Sequence, residues 1–354
     1  MIFFVIFLTS VVLPAQKTKN ENQSIFTIRP DLNKLDLDEQ SKRIAQIFFE
    51  ISDLCDQINR NSKTPEDREK ILLEITRLLN SAVEIESDSK NKIYLSALAE
   101  DILKNDFGSS YSNWLNIENP KIDILYQTGK SKKLAVSVLS YDHKLTQKAG
   151  RYGSLIDKMK ANTTRKYYSI SSSTSFRYPF LIADLLQTTG TGRSVLTYPP
   201  IQKDGKQNQI KIIILRNVAR HFFKEILRPV GKKVFPSRLA KLVDFKSYFS
   251  NIIMHKIAHF LGPYFAKSKS EEPELIGKKL KDLFLCIEEI KADTVALSNT
   301  SLLIKEKILS KQKENRVYTT YITHLLAKIG QNKDLVEKDP YLVQINYFLK
   351  NQGL

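Results

Sequence analysis

Cysteine is nearly absent: Cys55 and Cys286 are the only two in 354 residues, too few and too far apart for a disulfide framework or a cysteine-bound zinc. Neither needs a functional explanation. The apolar run that opens the chain, from Met1 through Ile2 to Pro14 and Ala15, is too short to span a bilayer but about right for the hydrophobic centre of a signal peptide. No Lys or Arg precedes it, and Leu13 two residues before Ala15 makes a poor small-residue cleavage pattern. A lipid-modified cysteine near this end is excluded, because the first cysteine is Cys55. Export to the periplasm or the exterior is the favoured reading, with a cytoplasmic location as the alternative. No transmembrane span is expected in the mature chain.

What is present points to a folded protein. Hydrophobic residues make up 42% of the chain, enough for one large core or two ordinary ones, and nothing in the composition signals disorder. The formal charge of +17 invites a polyanionic partner, yet Lys and Arg are spread along the chain with acidic residues interleaved, which disfavours a specific nucleic-acid role.

Apolar spacing predicts the elements. Ile44, Ile47, Phe48, Ile51, Leu54, Cys55 and Ile58 recur at helical intervals between Leu37 and Arg60. Thr64 as cap and Pro65 in the first turn open a second helix burying Ile71, Ile75, Leu78, Leu79 and Ala82. A third helix is expected near Ile93 to Leu103. The region from Phe107 to Gly153 gives mixed signals, with a short strand at Ile122 to Tyr126. Phe176 to Leu186, Val195 to Tyr198 and Ile210 to Leu215 read as strands of a small sheet. Gly190-Thr191-Gly192-Arg193-Ser194 hints at a phosphate loop, but Gln187 stands in place of the first glycine and Arg193 in place of the lysine, so a turn is preferred. A helix over Asn217 to Leu227, stopped by Pro229 and Gly231, aligns Arg216, Arg220, Lys224 and Arg228. That stripe could track a phosphate backbone; a solvated face opposite Val218, Phe222 and Ile226 is the preferred reading.

The chemistry-bearing residues follow. Phe245 to Leu261 reads as a helix with Phe245, Phe249, Ile252, Ile253, Ile257 and Phe260 in its apolar pattern and Gly262-Pro263 at its end. Within it, His255 and His259 lie one turn apart, which stacks two imidazoles on one face as adjacent zinc ligands require. A later helix, Leu280 to Leu297, places Leu283, Phe284, Ile287 and Ile290 at core spacing and carries Glu288, Glu289 and Asp293. Glu289 and Asp293 are again one turn apart, supplying an anionic third ligand and a carboxylate to fix a histidine tautomer. The competing reading is a solvated acidic face against Lys291.

These residues resemble the dipeptidyl peptidase III family of zinc metallopeptidases, particularly its bacterial branch. The run His255-Lys256-Ile257-Ala258-His259-Phe260-Leu261-Gly262 is similar to that branch's H-E-x-x-H-G-L-G, and Glu288-Glu289-Ile290-Lys291-Ala292-Asp293 to its E-E-x-K-A-D. Asn217-Val218 through Arg228-Pro229 resembles the preceding helix, and weaker likeness reaches Trp114 to Asp123 and Asp31 to Leu35. The resemblance implies one Zn²⁺ held by His255, His259 and Glu289, with Asp293 and Glu288 supporting. It implies an α+β, predominantly α-helical fold, a two-lobed gluzincin-like metallopeptidase scaffold with a small sheet and two zinc-ligand helices. The expected organisation is a signal-like segment and linker over 1–22, an N-terminal helical lobe over 23–153, and a zinc-site region with the sheet and C-terminal helices over 154–354.

The chain departs from the family where the chemistry lies. Lys256 occupies the position of the glutamate that activates water, and a protonated ammonium cannot accept the water's proton. Glu288 is placed to pair with it. The family's Glu-x-Tyr segment has no counterpart in Ile124-Leu125-Tyr126-Gln127-Thr128-Gly129-Lys130-Ser131, and its distal histidine is unmatched, His324 falling in an ordinary core pattern. The expected function is therefore a zinc-binding, catalytically inactive relative that binds peptides or a protein partner. A residual zinc peptidase is the first alternative, and a basic surface for nucleic acid or membrane the second.

Overall fold

The structure, a computed structural model, describes residues 29–61, 64–118, 120–128, 134–167, 180–189, 195–198, 211–259, 261, 265–266, 274–331 and 340–351. The N-terminal apolar segment, the Gly190–Ser194 turn and the Gly262-Pro263 helix stop lie outside these residues. None of the described helices is long and apolar enough to cross a membrane.

Four helices come first: α1 (Glu39–Asn61), α2 (Pro65–Ile85), α3 (Ser89–Lys104) and α4 (Gly108–Leu115). The starts of α2 and α3 follow capping chemistry: Thr64 accepts the Asp67 amide at 3.1 Å and Asp88 accepts that of Asn91 at 2.9 Å, occupying donors that a helix start leaves without partners. Ile75, Leu78, Leu79 and Ala82 are buried on α2 as their spacing predicts. After α4 come β1 (Ile122–Thr128), β2 (Leu134–Tyr141), α5 (His143–Gly153), α6 (Ile156–Tyr167), β3 (Phe180–Thr188), β4 (Val195–Tyr198) and β5 (Lys211–Leu215).

The five strands form one sheet in the order β1-β2-β3-β5-β4. Pairing is antiparallel except between β3 and β5, which run parallel with Phe180 opposite Ile212. Strand β5 is buried throughout and β3 almost so, the burial expected of central strands covered on both faces. Helix α1 packs on β1, β2 and β3, and Phe48, Ile51, Ile75, Leu98, Trp114, Ile124, Val138 and Ile213 belong to one core.

Of the described residues, this compact unit comprises 29–150 and 180–218, and a second comprises 151–167 and 219–351. The division differs from the expected boundary at 153. Strand β3 pairs with β2 and carries β5 and β4 into the same sheet, so all three belong with the N-terminal helices, because hydrogen-bonded ladders join segments that chain order separates.

A buried charge marks the first unit. Lys211 Nζ donates to the Trp114 carbonyl at 2.6 Å and lies 4.1 Å from the centre of its ring, while Asp123 accepts Trp114 Nε1 at 2.7 Å and the Tyr141 hydroxyl at 3.0 Å. Burial pushes the lysine down to about 8, against the pull of Asp123 and Glu118. Between that value and the 10.5 of the unfolded chain, the unfolded state holds a proton that the folded state has released, so stability rises with pH through this window. A denaturation series from pH 7 to 9.5 should show this rise in the wild type. In Lys211→Met the slope should be shallower by this lysine's share, about 3 kcal/mol in full by the conversion of pKa shift to energy, while Lys256 and Lys328, also lowered by burial, retain theirs.

The second unit is helical. Its remaining members are α7 (Arg216–Phe222, continuous through a π turn at Phe223–Leu227 into α8, Arg228–Val234), α9 (Ser237–Ala240), α10 (Phe245–His259), α11 (Ile276–Leu280), α12 (Phe284–Ser298), α13 (Thr300–Lys305), α14 (Glu314–Gln331) and α15 (Pro340–Lys350), with a two-residue ladder of β6 (Phe265–Ala266) on β7 (Glu274–Leu275). Pro229 and Gly231 do not stop the helix as expected. Pro229 falls in the first turn of α8 just after the π turn, where its missing amide is tolerated. Gly231 is a close-approach position: a Cβ there would meet Val243 Cγ2 at 2.8 Å.

Two further expectations are corrected. Arg216 leaves the basic stripe, because its guanidinium is held by Asp184 and, at 2.6 Å, by Asp142. On α12 the expected core positions Leu283 and Ile287 are 50% and 42% exposed. The helix turns Cys286, Ala292, Asp293, Val295 and Ala296 inward instead, because its buried face carries the carboxylate that meets α10.

Candidate metal centre

Helix α10 packs against α12 and α14, and α12 packs against α15. On α10 the buried face of Ile253, Met254, Ile257 and Ala258 anchors the helix and leaves His255 and His259 side by side toward α12. Both imidazoles use Nδ1 outward from the cluster: His255 Nδ1 meets Asp293 Oδ1 at 2.7 Å, and His259 Nδ1 meets Glu288 Oε1 at 3.1 Å. A carboxylate on Nδ1 fixes the tautomer that leaves Nε2 with its lone pair.

The two Nε2 atoms then face each other at 3.0 Å, with Glu289 straddling them at 3.2 Å from His255 and 3.5 Å from His259. Two lone pairs and a carboxylate converging on one point repel unless a proton or a metal cation lies among them. A tetrahedral zinc bound at ~2.0–2.1 Å sets its ligand atoms about 3.3 Å apart, so the donor set fits such an ion in type and spacing. All three ligand atoms lie within 4.8 Å of one another. Burial opposes every charge here, yet the bonds to Asp293 and Glu289 raise His255 above its ordinary value, and the His255 contact holds Glu289 below the usual carboxylate range despite burial. Burial lowers His259, the Glu288 bond only partly offsetting it.

Lys256 faces the same carboxylates. Burial lowers its ammonium, and Glu289 and Asp293 oppose that shift. Its expected pairing with Glu288 is corrected: Glu288 takes Lys291 at 2.7 Å as well as His259. Lys328 on α14 is a second, half-buried cation, with Glu289 among its charged neighbours and Nζ 5.0 Å from the Phe222 ring. His324 is closed in by the rings of Phe222, Tyr248 and Tyr341 at 6.2, 5.5 and 6.0 Å. Burial holds it down to about 3, a neutral core histidine as its spacing predicts.

Two residues of the site were not found by sequence reasoning. Gln344 on α15 donates to Asp293 Oδ2 at 3.0 Å, and the Tyr321 hydroxyl on α14 donates to Gln344 Oε1. All three side chains are buried. The chain Tyr321, Gln344, Asp293, His255 thus crosses four helices and locks one imidazole in place. Partners behind a metal ligand typically contribute about 10–100-fold in affinity, so Gln344→Leu should weaken zinc binding by that order. A chelator-competition titration measures it, with the Nδ1 proton resonance of His255 shifting in parallel; unchanged affinity and resonance would assign Gln344 to packing alone.

No protein-family model matches the chain. Among solved structures it is similar to dipeptidyl peptidase III from Caldithrix abyssi, with a TM-score of 0.78 at 17% identity, over 92% of this chain and 82% of that one. The fold is that of dipeptidyl peptidase III. The dipeptidyl peptidase III of Corallococcus sp. strain EGB superposes with a TM-score of 0.64 at 21% identity, over 80% of this chain and 55% of that one. In sequence the chain is also similar to Nudix hydrolase 3 of Arabidopsis thaliana, 23% identical over 359 residues, spanning 90% of this chain and 46% of that protein. The chain therefore spans about half the length of the curated relative it matches. In the dipeptidyl peptidase III scaffold described here, α10 and α12 are the two helices that bring the histidine pair and its carboxylates together.

Proposed function

We propose that this chain is a zinc-binding, catalytically inactive relative of dipeptidyl peptidase III-type metallopeptidases, acting by binding a peptide or a protein partner. The observation that carries the zinc reading is the pair of Nε2 atoms 3.0 Å apart beneath one carboxylate, each imidazole turned by a carboxylate on its other nitrogen. His255, His259 and Glu289 would hold the ion, which when bound supplies Lewis acidity toward an oxygen ligand.

The inactivity follows from what the chain's own groups are occupied with. Hydrolysis of a peptide needs a base that takes a proton from water and returns it to the leaving amine. By the family likeness Lys256 stands in the base's place, and an ammonium has no lone pair for that proton. The other carboxylates at the site have tasks already: Asp293 and Glu288 hold the histidine Nδ1 positions, and Glu289 spans the two Nε2 atoms. A site that can hold a metal and an oxygen ligand but cannot move the proton is suited to binding. The side chain of Glu289 is 36% exposed, which leaves that face open to an incoming carbonyl or carboxylate.

Elemental analysis of protein never exposed to chelator, beside a peptidase assay on an arylamide dipeptide panel, tests the reading. Zinc without turnover supports it. Zinc with robust turnover would favour the residual-peptidase alternative, and absence of zinc would remove the metal reading.

A further inference from the structure

We propose that the concave basic surface around the π turn between α7 and α8 is a binding site for an anion carrying two or more adjacent phosphate groups. Two neighbouring concavities of about 530 and 670 Å³ share Arg228 and Lys232 in their walls. Lys224 and Lys233 complete the cations of the first, Lys241 and Arg316 those of the second, so six cations meet one carboxylate, Asp244. That carboxylate is engaged elsewhere: it accepts the Ser247 amide and hydroxyl at 3.2 and 2.9 Å and faces Lys313 at 3.6 Å.

The surface differs from the rest of this basic chain. Several exposed cations elsewhere have a carboxylate a turn away, as in Arg60 with Asp56, Arg77 with Glu74 and Lys104 with Glu100. From Arg216 to Val243 the sequence holds eight Lys and Arg residues and a single acidic one, Glu225. No described carboxylate pairs with Lys224, Arg228, Lys232 or Lys233. Like charges at one-turn spacing repel and cost stability, and an anion in the concavity offsets that cost.

Backbone and walls suit the same ligand. The π turn at Phe223–Leu227 breaks the four-residue register of Arg220 and Lys224, and Arg228, next along the chain, opens onto both concavities. Phe223 and Phe245 form an apolar wall of the larger one, their rings 5.6 Å apart edge to face, with the Arg220 guanidinium 4.5 Å from the centre of the Phe245 ring. Low-dielectric walls focus the field of the cations into the space between them. The volumes are those of small-ligand sites, ~300–1,000 Å³. A nucleic-acid strand would need the stripe to continue, and Arg216 is already held by Asp142 and Asp184.

Calorimetric titration of the full chain with inorganic tripolyphosphate at about 0.15 M salt tests this, with a nucleoside triphosphate as a second arm. Saturable one-to-one binding is expected, at least tenfold weaker in Arg228→Glu/Lys232→Glu and changed less than twofold in Lys144→Glu/Lys148→Glu, which makes the same change in net charge on α5. Equal affinity in both arms identifies bare oligophosphate as the ligand chemistry; tighter nucleotide binding adds base contact with the phenylalanine wall. Arg228→Gln, a milder change, should give an intermediate loss if the charge-reversed protein is unstable. Absence of saturation, equal weakening in both double variants, or tighter binding of a single-stranded oligonucleotide than of tripolyphosphate would overturn the proposal.

Discussion

Zinc-loaded wild-type protein is expected to cleave dipeptidyl arylamides no faster than a metal-free control, and Lys256→Glu is expected to restore little. Loss of a general base typically costs ~10²–10⁴ in rate. A carboxylate at 256 could take the proton of an attacking water, but the tetrahedral oxyanion would still lack donors, each worth ~10²–10³. By the resemblance, the Glu-x-Tyr segment has no counterpart in the stretch from Ile124 to Ser131, and His324 is packed against the rings of Phe222, Tyr248 and Tyr341. Repairing one part of a machine that acts as a unit recovers a small fraction of its rate. Strong rescue by Lys256→Glu would show that the remaining donors are supplied from elsewhere in the chain, and zinc-dependent turnover by the wild type would contradict the inactive reading.

Removing the metal is expected to cost much of the second unit's stability. A ligand bound only by the folded state stabilises it by RT ln(1 + [L]/Kd), about 4 kcal/mol at a thousandfold excess over Kd. Without the ion, Glu289 and two facing imidazoles share one small space at the α10 and α12 contact. Chelator should therefore lower the thermal midpoint of the wild type and leave that of His255→Ala/His259→Ala unmoved. Identical chelator responses in the two proteins would place the stabilisation outside this cluster.

The convergence of His255, His259 and Glu289 was legible because each half of the cluster is local. His255 with His259, and Glu289 with Asp293, are neighbours on their own helices, and the periodicity of α10 and α12 put each pair on one face. That Glu288 serves His259 was also within reach, since it adjoins Glu289. Its choice of Lys291 over Lys256 was not: side-chain direction on a helix decides between two lysines, and sequence spacing alone does not. Gln344 and Tyr321 were invisible for a different reason. Gln344 lies 51 residues from Asp293, on a helix whose apolar pattern gives no sign of what its polar position meets.

The fold shows the same division. Helices α1 to α3 were readable from apolar spacing and caps. Strand β2 was lost in a region of mixed signals, although Val136 and Val138 alternate with serine and both are buried. The membership of β3 and β5 could not be read from chain order, because a parallel pair is joined only through a crossover. On α12, Leu283 and Ile287 had the spacing of a core stripe and are exposed, while the charged Asp293 is buried. Hydrophobic periodicity assigns the wrong inner face when a site requires a carboxylate inside.

Zinc content of protein purified without chelator, measured by elemental analysis for the wild type and for His255→Ala/His259→Ala, tests the central claim most directly. The three ligand atoms predict a single ion in the wild type and none in the variant. Equal zinc in the two proteins would contradict the assignment of the metal to this cluster.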